Sequence, residues 1–322
     1  MNRLEQFADV LDAIPPWRGR VPQGYLADFL GVFTDGRFRT MFGVDPDALA
    51  EREVATRAPT IADGEYWFEA VNWVVAAREA RERFVMVTLG ACYGAPAVAC
   101  CRVLQRLNPM PYRLVAVEPE PETFAWIARH MRDNGIDPDA QWLLPCAVSD
   151  RNEPVLFPVG SPGSGAQNCY STNERASRAQ IARELIAGGR AAEGLQNLLL
   201  RSTTGITKGL APSHDFMAEI KLVSAVTLRD VLAPFEFVDY LDSDIQQSEI
   251  IVFPPFLDLL RRKVRRIHIG THGKDVHRSL HELFRSDGWE IVFSYEPNAT
   301  HASALGAFTT NDGVLTVRNP AL

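Results

Sequence analysis

The sequence has no apolar run approaching the ~18 residues that read as a membrane span, and no apolar stretch near its start. The expectation is therefore a cytoplasmic protein with neither a membrane span nor a signal peptide. It lacks an excess of basic charge: 33 Lys and Arg stand against 40 Asp and Glu, a formal net charge of −7. Binding a nucleic-acid backbone needs a basic surface, so nucleic acid is not an expected partner. Cysteine is scarce and never in zinc-site spacing, the five being Cys92, Cys100, Cys101, Cys146 and Cys169. The Cys100-Cys101 pair sits in an apolar, helix-like run and reads as buried free thiols. No Gly-Lys-Ser/Thr follows Gly94, which excludes a Walker loop there, and no Tyr-x-x-x-Lys proton relay occurs.

What is present is ordinary globular material, 322 residues with 46% apolar and 23% charged content. Residues 1–80 read as an N-terminal helical cap. Leu4, Phe7, Val10 and Leu11 recur at helical spacing up to Pro15-Pro16, and a second helical stretch runs from about Gly64. The section between is turn-rich, with Pro22, Gly24, Gly36, Gly43 and Pro46. From about residue 81 short apolar runs alternate with amphipathic helices, the α/β signature. Strands are expected at 84–89, 113–118, 141–148, 237–242, 264–269, 290–295 and 313–317, with helices at 95–107 and 122–134. The gap after the third strand is too long for one crossover helix. Residues 151–235 are read as a lid-like insertion; the apolar face of its 181–200 segment would serve a homodimer equally well.

One stretch carries the most information. Val85-Met86-Val87-Thr88-Leu89 feeds the turn Gly90-Ala91-Cys92-Tyr93-Gly94, a helix follows, and Val115-Ala116-Val117 ends in Glu118. This is a βαβ unit with a carboxylate placed for ribose hydroxyls. A dinucleotide site would want G-x-G-x-x-G, and neither Cys92 nor Ala95 supplies the missing glycines. The bare G-x-x-x-G turn lies closer to the loop that contacts S-adenosylmethionine, which has no phosphate. Glu118 suits both nucleosides, so an NAD(P)-dependent oxidoreductase stays open on these residues.

The order and spacing of further blocks resemble the FkbM-type S-adenosylmethionine-dependent methyltransferases. The blocks are 87–94, Val115 to Pro119, Cys146-Ala147-Val148-Ser149-Asp150, 238–249, Ile267 to His272, Gly288-Trp289 and Asp312-Gly313-Val314, together covering roughly residues 60–320. The resemblance implies a class I methyltransferase fold, a Rossmann-like seven-stranded, mostly parallel sheet with helices on both faces. It implies O-methylation, with Leu89, Gly90, Ala91, Gly94, Glu118, Pro119, Val148 and Asp150 at the cofactor. Three positions depart from the family pattern: Thr88 stands for an acidic residue, and Cys92 and Gln247 for glycines. They motivate a further alternative, a catalytically inactive partner subunit.

Ligands in open α/β sheets bind outside the carboxyl ends of the strands. There the sequence places Asp242 and Asp244, on one face by strand alternation, and His272 from the adjoining strand. Asp244 and His272 are the candidate catalytic pair: a neutral histidine would take the hydroxyl proton, with the carboxylate orienting it. Alternatively Asp242, Asp244 and Glu249 would hold a divalent cation such as Mg²⁺. Helix capping is the competing role for Asp244. Glu69, in the Glu65-Tyr66-Trp67-Phe68-Glu69 cluster, is a candidate for the sulfonium; the plainer role is a helix packing its aromatics on the sheet. His268 reads as a core histidine, and His277 with His281 as a solvated helix face rather than zinc ligands. The expected substrate is a hydroxyl of a small molecule, of sugar or secondary-metabolite type.

Overall fold

The computed structural model describes residues 3–159 and 219–322. The strands of its central sheet are β1 (Phe84–Leu89), β2 (Tyr112–Val117), β3 (Trp142–Leu144), β4 (Val238–Ser243), β5 (Val264–Thr271), β6 (Glu290–Tyr295) and β7 (Gly313–Arg318). They lie in the order β6-β7-β5-β4-β1-β2-β3. β7 is antiparallel to β5 and β6, and the remaining neighbours are parallel. This is the class I methyltransferase arrangement. The strand order reverses between β1 and β4, which opens a crevice at their carboxyl ends.

A parallel sheet covered on both faces needs apolar residues on both sides of every strand, and β1 is buried along its whole length. Alternation sorts the side chains into two layers. Phe84, Met86, Leu114, Ala116 and Tyr240 face helices α1 (Glu65–Glu79), α2 (Ala95–Leu107) and α3 (Pro121–Asp133). Val85, Val87, Leu89, Leu241 and Ile267 face α4 (Leu228–Leu232), α6 (Leu257–Lys263) and α7 (Lys274–Ser286), with the short α5 (Glu249–Val252) between. Cys100 and Cys101 are fully buried in the first layer. Phe68 on α1 packs on Phe293, Tyr295 and Phe308, so α1 belongs to the same apolar layer as α2.

The structure departs from the expected elements in four places. The third strand stops at Leu144, because Pro145 has no N–H to continue the ladder. Beyond it Ala147–Val148 pairs instead with Ala225–Val226. The N-terminal segment is less helical than its spacing suggests. It holds 3₁₀ turns and two small antiparallel ladders, Arg18–Val21 with Arg52–Ala55 and Tyr25–Ala27 with Phe33–Asp35. An unexpected hairpin, Ala299–Ser303 with Gly306–Thr310, intervenes between β6 and β7. Finally, Val155–Val159 pairs antiparallel with Glu219–Val223. The rest of the expected insertion, 160–218, with its lid and dimer readings and Cys169, lies outside the described residues. No helix of the described residues is long and apolar enough to cross a membrane.

Candidate functional site

The turn after β1 is held by its neighbours rather than by its own side chains. Gly90 and Ala91 both donate backbone N–H bonds to Val117 O at 3.0 Å, and Asp244 N–H donates to Leu89 O at 2.9 Å. Gly90 has φ +72° and lies so close to β4 that a Cβ would sit 1.9 Å from Asp244 O. The glycine is therefore demanded by the approach of the chain at Asp244. Cys92, where the related pattern has glycine, takes the same left-handed region with φ 49°, which costs a side chain about 1 kcal/mol. Its backbone thus does what a glycine would do, while its thiol is added to the cleft wall. Burial pushes that thiol's pKa up, so it stays protonated.

Beside this turn lies a cleft open to solvent. Gly90 and Cys92 from the first turn, Glu118 and Pro119 after β2, Val148 after β3, and Asp244, Ile245 and Gln246 after β4 all line it. Glu118 is 4% exposed. Its two oxygens accept backbone N–H bonds from Cys92 at 2.8 Å and Glu120 at 2.9 Å. Each oxygen keeps a lone pair for a ligand hydroxyl. Burial pushes its pKa up to about 8, opposed by those amides and reinforced by Glu120 and Asp244. Of the other expected cofactor residues, Leu89 and Ala91 are fully buried and Gly94 stands at the start of α2. They shape the turn without lining the cleft. Asp150 pairs with Arg151 at 3.5 Å and is not among the lining residues.

The polar cluster at the ends of β4 and β5 is tighter than the sequence indicated. His272 Nε2 lies 3.4 Å from Asp244 Oδ1 and 3.4 Å from Asp312 Oδ1, with the histidine side chain only 8% exposed. Gln246 Nε2 stands 2.9 Å from the same ring nitrogen and 3.0 Å from Asp244 Oδ1. A carboxamide NH₂ only donates, so in the tautomer that satisfies this contact His272 Nε2 is the acceptor. Asp244 caps no helix; Ser248 stands at the start of α5. Glu69, one turn into α1, reaches the same region. Desolvation, with Asp242 and Asp244 beside it, pushes Glu69 up to about 8.

Asp312 and Gln246 were not identified from sequence. Asp312 precedes an antiparallel strand, so its end of β7 meets the carboxyl end of β5; only the pairing reveals that. Gln246 and Gln247 occupy left-handed backbone with φ 53° and 75°, and the sequence carries no glycine there to announce it.

The metal expectation is not supported by the side chains. Glu249 Oε1 accepts from Ile245 N–H at 2.8 Å and from Ser243 Oγ at 3.4 Å, which braces the β4 turn from behind. Asp242 is 6% exposed and takes the hydroxyl of Tyr240 at 3.1 Å. Among the described residues no three His, Cys, Asp or Glu side chains converge as metal ligands would. His268 is buried, with Nδ1 2.9 Å from Thr316 Oγ1. His277 is not on a solvated helix face: it is 3% exposed and bridges Thr271 and Ser294, each at 2.9 Å.

No family model matches the sequence. A protein of Jannaschia sp. (strain CCS1) named "Putative methyltransferase" is 25% identical over 305 residues, 93% of this chain and 94% of its own length. Among solved structures, the precorrin-6y C5,15-methyltransferase of Geobacter metallireducens GS-15 aligns at TM-score 0.39 and 9% identity, over 81% of this chain and 92% of its own. An O-methyltransferase from Bacillus cereus in complex with SAH gives TM-score 0.38 and 10% identity, over 88% and 91%. The methyltransferase FkbM of Methylobacillus flagellatus KT gives TM-score 0.38 and 10% identity, over 87% of this chain and 58% of its own. At such distances the fold is read from the strand order itself, and that order is the class I methyltransferase one.

Proposed function

We propose that the chain is an S-adenosylmethionine-dependent O-methyltransferase acting on a hydroxyl of a small molecule. The observation that carries the reading is the position of Glu118. A carboxylate pinned by two amides at the end of β2 faces a cleft beside the Gly90 turn, where a nucleoside's ribose diol would be held. The name and near full-length alignment of the Jannaschia relative support the methyltransferase part of this reading. Val148 and Phe157 supply apolar wall for an adenine. Glu69 and Asp242, raised to about 8 and about 7, and Asp244, also raised, would ionise more readily beside a sulfonium's positive charge. When bound, the cofactor supplies an electrophilic methyl group whose bond to sulfur breaks with the electron pair left on sulfur.

The chain's own part is to make the acceptor oxygen nucleophilic. His272 Nε2, in the tautomer that accepts from Gln246, would take the hydroxyl proton as the oxygen bonds to the methyl carbon. Asp244 and Asp312, each 3.4 Å from that nitrogen, favour the imidazolium that results. Isothermal titration with S-adenosylmethionine and S-adenosylhomocysteine is the direct test, followed by transfer of labelled methyl to a panel of hydroxylated sugars and metabolites. Micromolar binding and ether formation are expected. Binding of neither ligand at millimolar concentration overturns the reading, and binding of NADH instead would replace it with an oxidoreductase.

A further inference from the structure

A cofactor seated on the Gly90 turn brings with it an α-amino acid tail, which carries an ammonium and a carboxylate. The charged residues that line the cleft, Glu118 and Asp244, are both acidic, and Glu69 and Asp242 lie near Asp244. Glu69, Asp242 and Asp244 are all acidic and mutually repelling. A carboxylate placed among them is opposed unless a cation meets it.

The N-terminal segment delivers one cation to this turn. The 3₁₀ turn Gly36–Phe42 is fixed at its start by Asp35, whose side chain accepts from Arg37 N–H at 2.9 Å. It is fixed at its centre by Phe38, 2% exposed and stacked on Trp126 with ring centroids 4.5 Å apart. Arg37 pairs with Asp35, and Arg129 with Asp35 and Asp133. Arg39 instead donates from Nη1 to the Tyr93 hydroxyl at 3.1 Å and lies 4.3 Å from the Phe42 ring, and among the described residues no carboxylate pairs with it.

Tyr93 is the chain neighbour of Cys92, one of the residues that line the cleft. The charges are split across these two residues. At the Cys92 thiol Arg39 acts against Glu118 and Asp244, and at the Tyr93 hydroxyl it acts against Glu69. Arg39, anchored on Tyr93 of the turn, is thus a cation at a turn whose other charged neighbours are acidic, and a zwitterionic amino acid needs both signs.

We propose that Arg39 is the counter-ion of the cofactor's α-carboxylate, so that the N-terminal segment completes the cofactor site. This rests on the cleft being an S-adenosylmethionine site. The role is specific, because a guanidinium held by Tyr93 through one nitrogen keeps its remaining N–H groups for an incoming carboxylate.

The test is calorimetric titration of the full chain with S-adenosylmethionine, S-adenosylhomocysteine and decarboxylated S-adenosylmethionine, which keeps the ammonium and lacks the carboxylate. Arg39→Gln should weaken the first two by roughly 10- to 100-fold, the range for a charge-assisted hydrogen bond. The decarboxylated ligand should bind wild type and Arg39→Gln alike. Arg39→Lys, which keeps the charge without the fork, should fall between. An equal loss for all three ligands means that Arg39 only positions Tyr93 and overturns the proposal. Unchanged affinity for S-adenosylhomocysteine in Arg39→Gln overturns it too. A wild-type protein that binds none of the ligands removes the reading beneath it, a failure visible before any variant is compared.

Discussion

At the scale of the residue, His272 is defined by what surrounds one nitrogen. Two carboxylates and a carboxamide converge on Nε2, and each bears differently on a proton there. Asp244 and Asp312 favour a positive ring, whereas the Gln246 NH₂ requires a lone pair. The balance suits a group that gains a proton during the reaction and gives it up afterwards. His272→Ala should lower turnover by roughly 10² to 10⁴-fold while leaving S-adenosylhomocysteine affinity near that of wild type, measured by steady-state kinetics beside calorimetry. Gln246→Ala should be milder in turnover and shift the lower limb of the pH–rate profile, since it removes a donor without removing the base. Turnover unchanged in His272→Ala would transfer the proton-accepting role to Asp244 or Asp312. The approach of Asp244 to His272 was legible from the ends of adjoining strands; that Gln246 and Asp312 close on the same nitrogen was not.

At the scale of the element, the first turn and the end of β4 are one construction. The backbone of Asp244 occupies the space a side chain at position 90 would need. Gly90→Ala should therefore displace the Asp244 turn and destabilise the protein by about 2–4 kcal/mol, the sum of overpacking and left-handed strain. Gly94→Ala should cost less, because the nearest atom there is a methyl of Ile127 at 3.1 Å. Thermal unfolding of both variants checks the order. The sequence made β1, α2 and β6 legible to the residue, since an apolar run between turn residues, or a periodic run between Gly94 and Asn108, admits little else. It misled at β3, where the apolar pattern runs through Pro145 although the ladder cannot. It was silent on the 299–310 hairpin, whose small polar residues mimic a loop, and on the N-terminal ladders, each too short to show a period. These elements are set by long-range pairing, and periodicity reports only local burial.

At the scale of the molecule, burial has left several titrating groups in their neutral forms, and stability should follow. Burial raises Glu118 and, with nearby carboxylates, Glu69 to about 8, and Asp242 and Glu249 to about 7. A raised carboxyl stabilises the fold while protonated, and that contribution is lost as pH rises through the folded value. Burial lowers His130, His268 and His277 to about 4. Their contribution is present above the unfolded value and is lost as pH falls towards 4. The two sets oppose each other below about pH 6.5, and only the carboxyls titrate above it. Thermal stability should thus change little between about pH 4.5 and 6.5, where the two sets largely offset each other, and fall by on the order of 5 °C between pH 6.5 and 8.5. Glu69→Gln should flatten that decline, and differential scanning calorimetry across the range checks both. The ladder of Val155–Val159 with Glu219–Val223 has a different kind of consequence. Val159 and Glu219 are direct partners, so the chain departs from and returns to the body at one place. Antiparallel partners sit about 5 Å apart, a gap that a two-residue turn closes. Replacing residues 160–218 by an Asn-Gly turn or by a foreign segment should therefore leave every strand of the central sheet where it is.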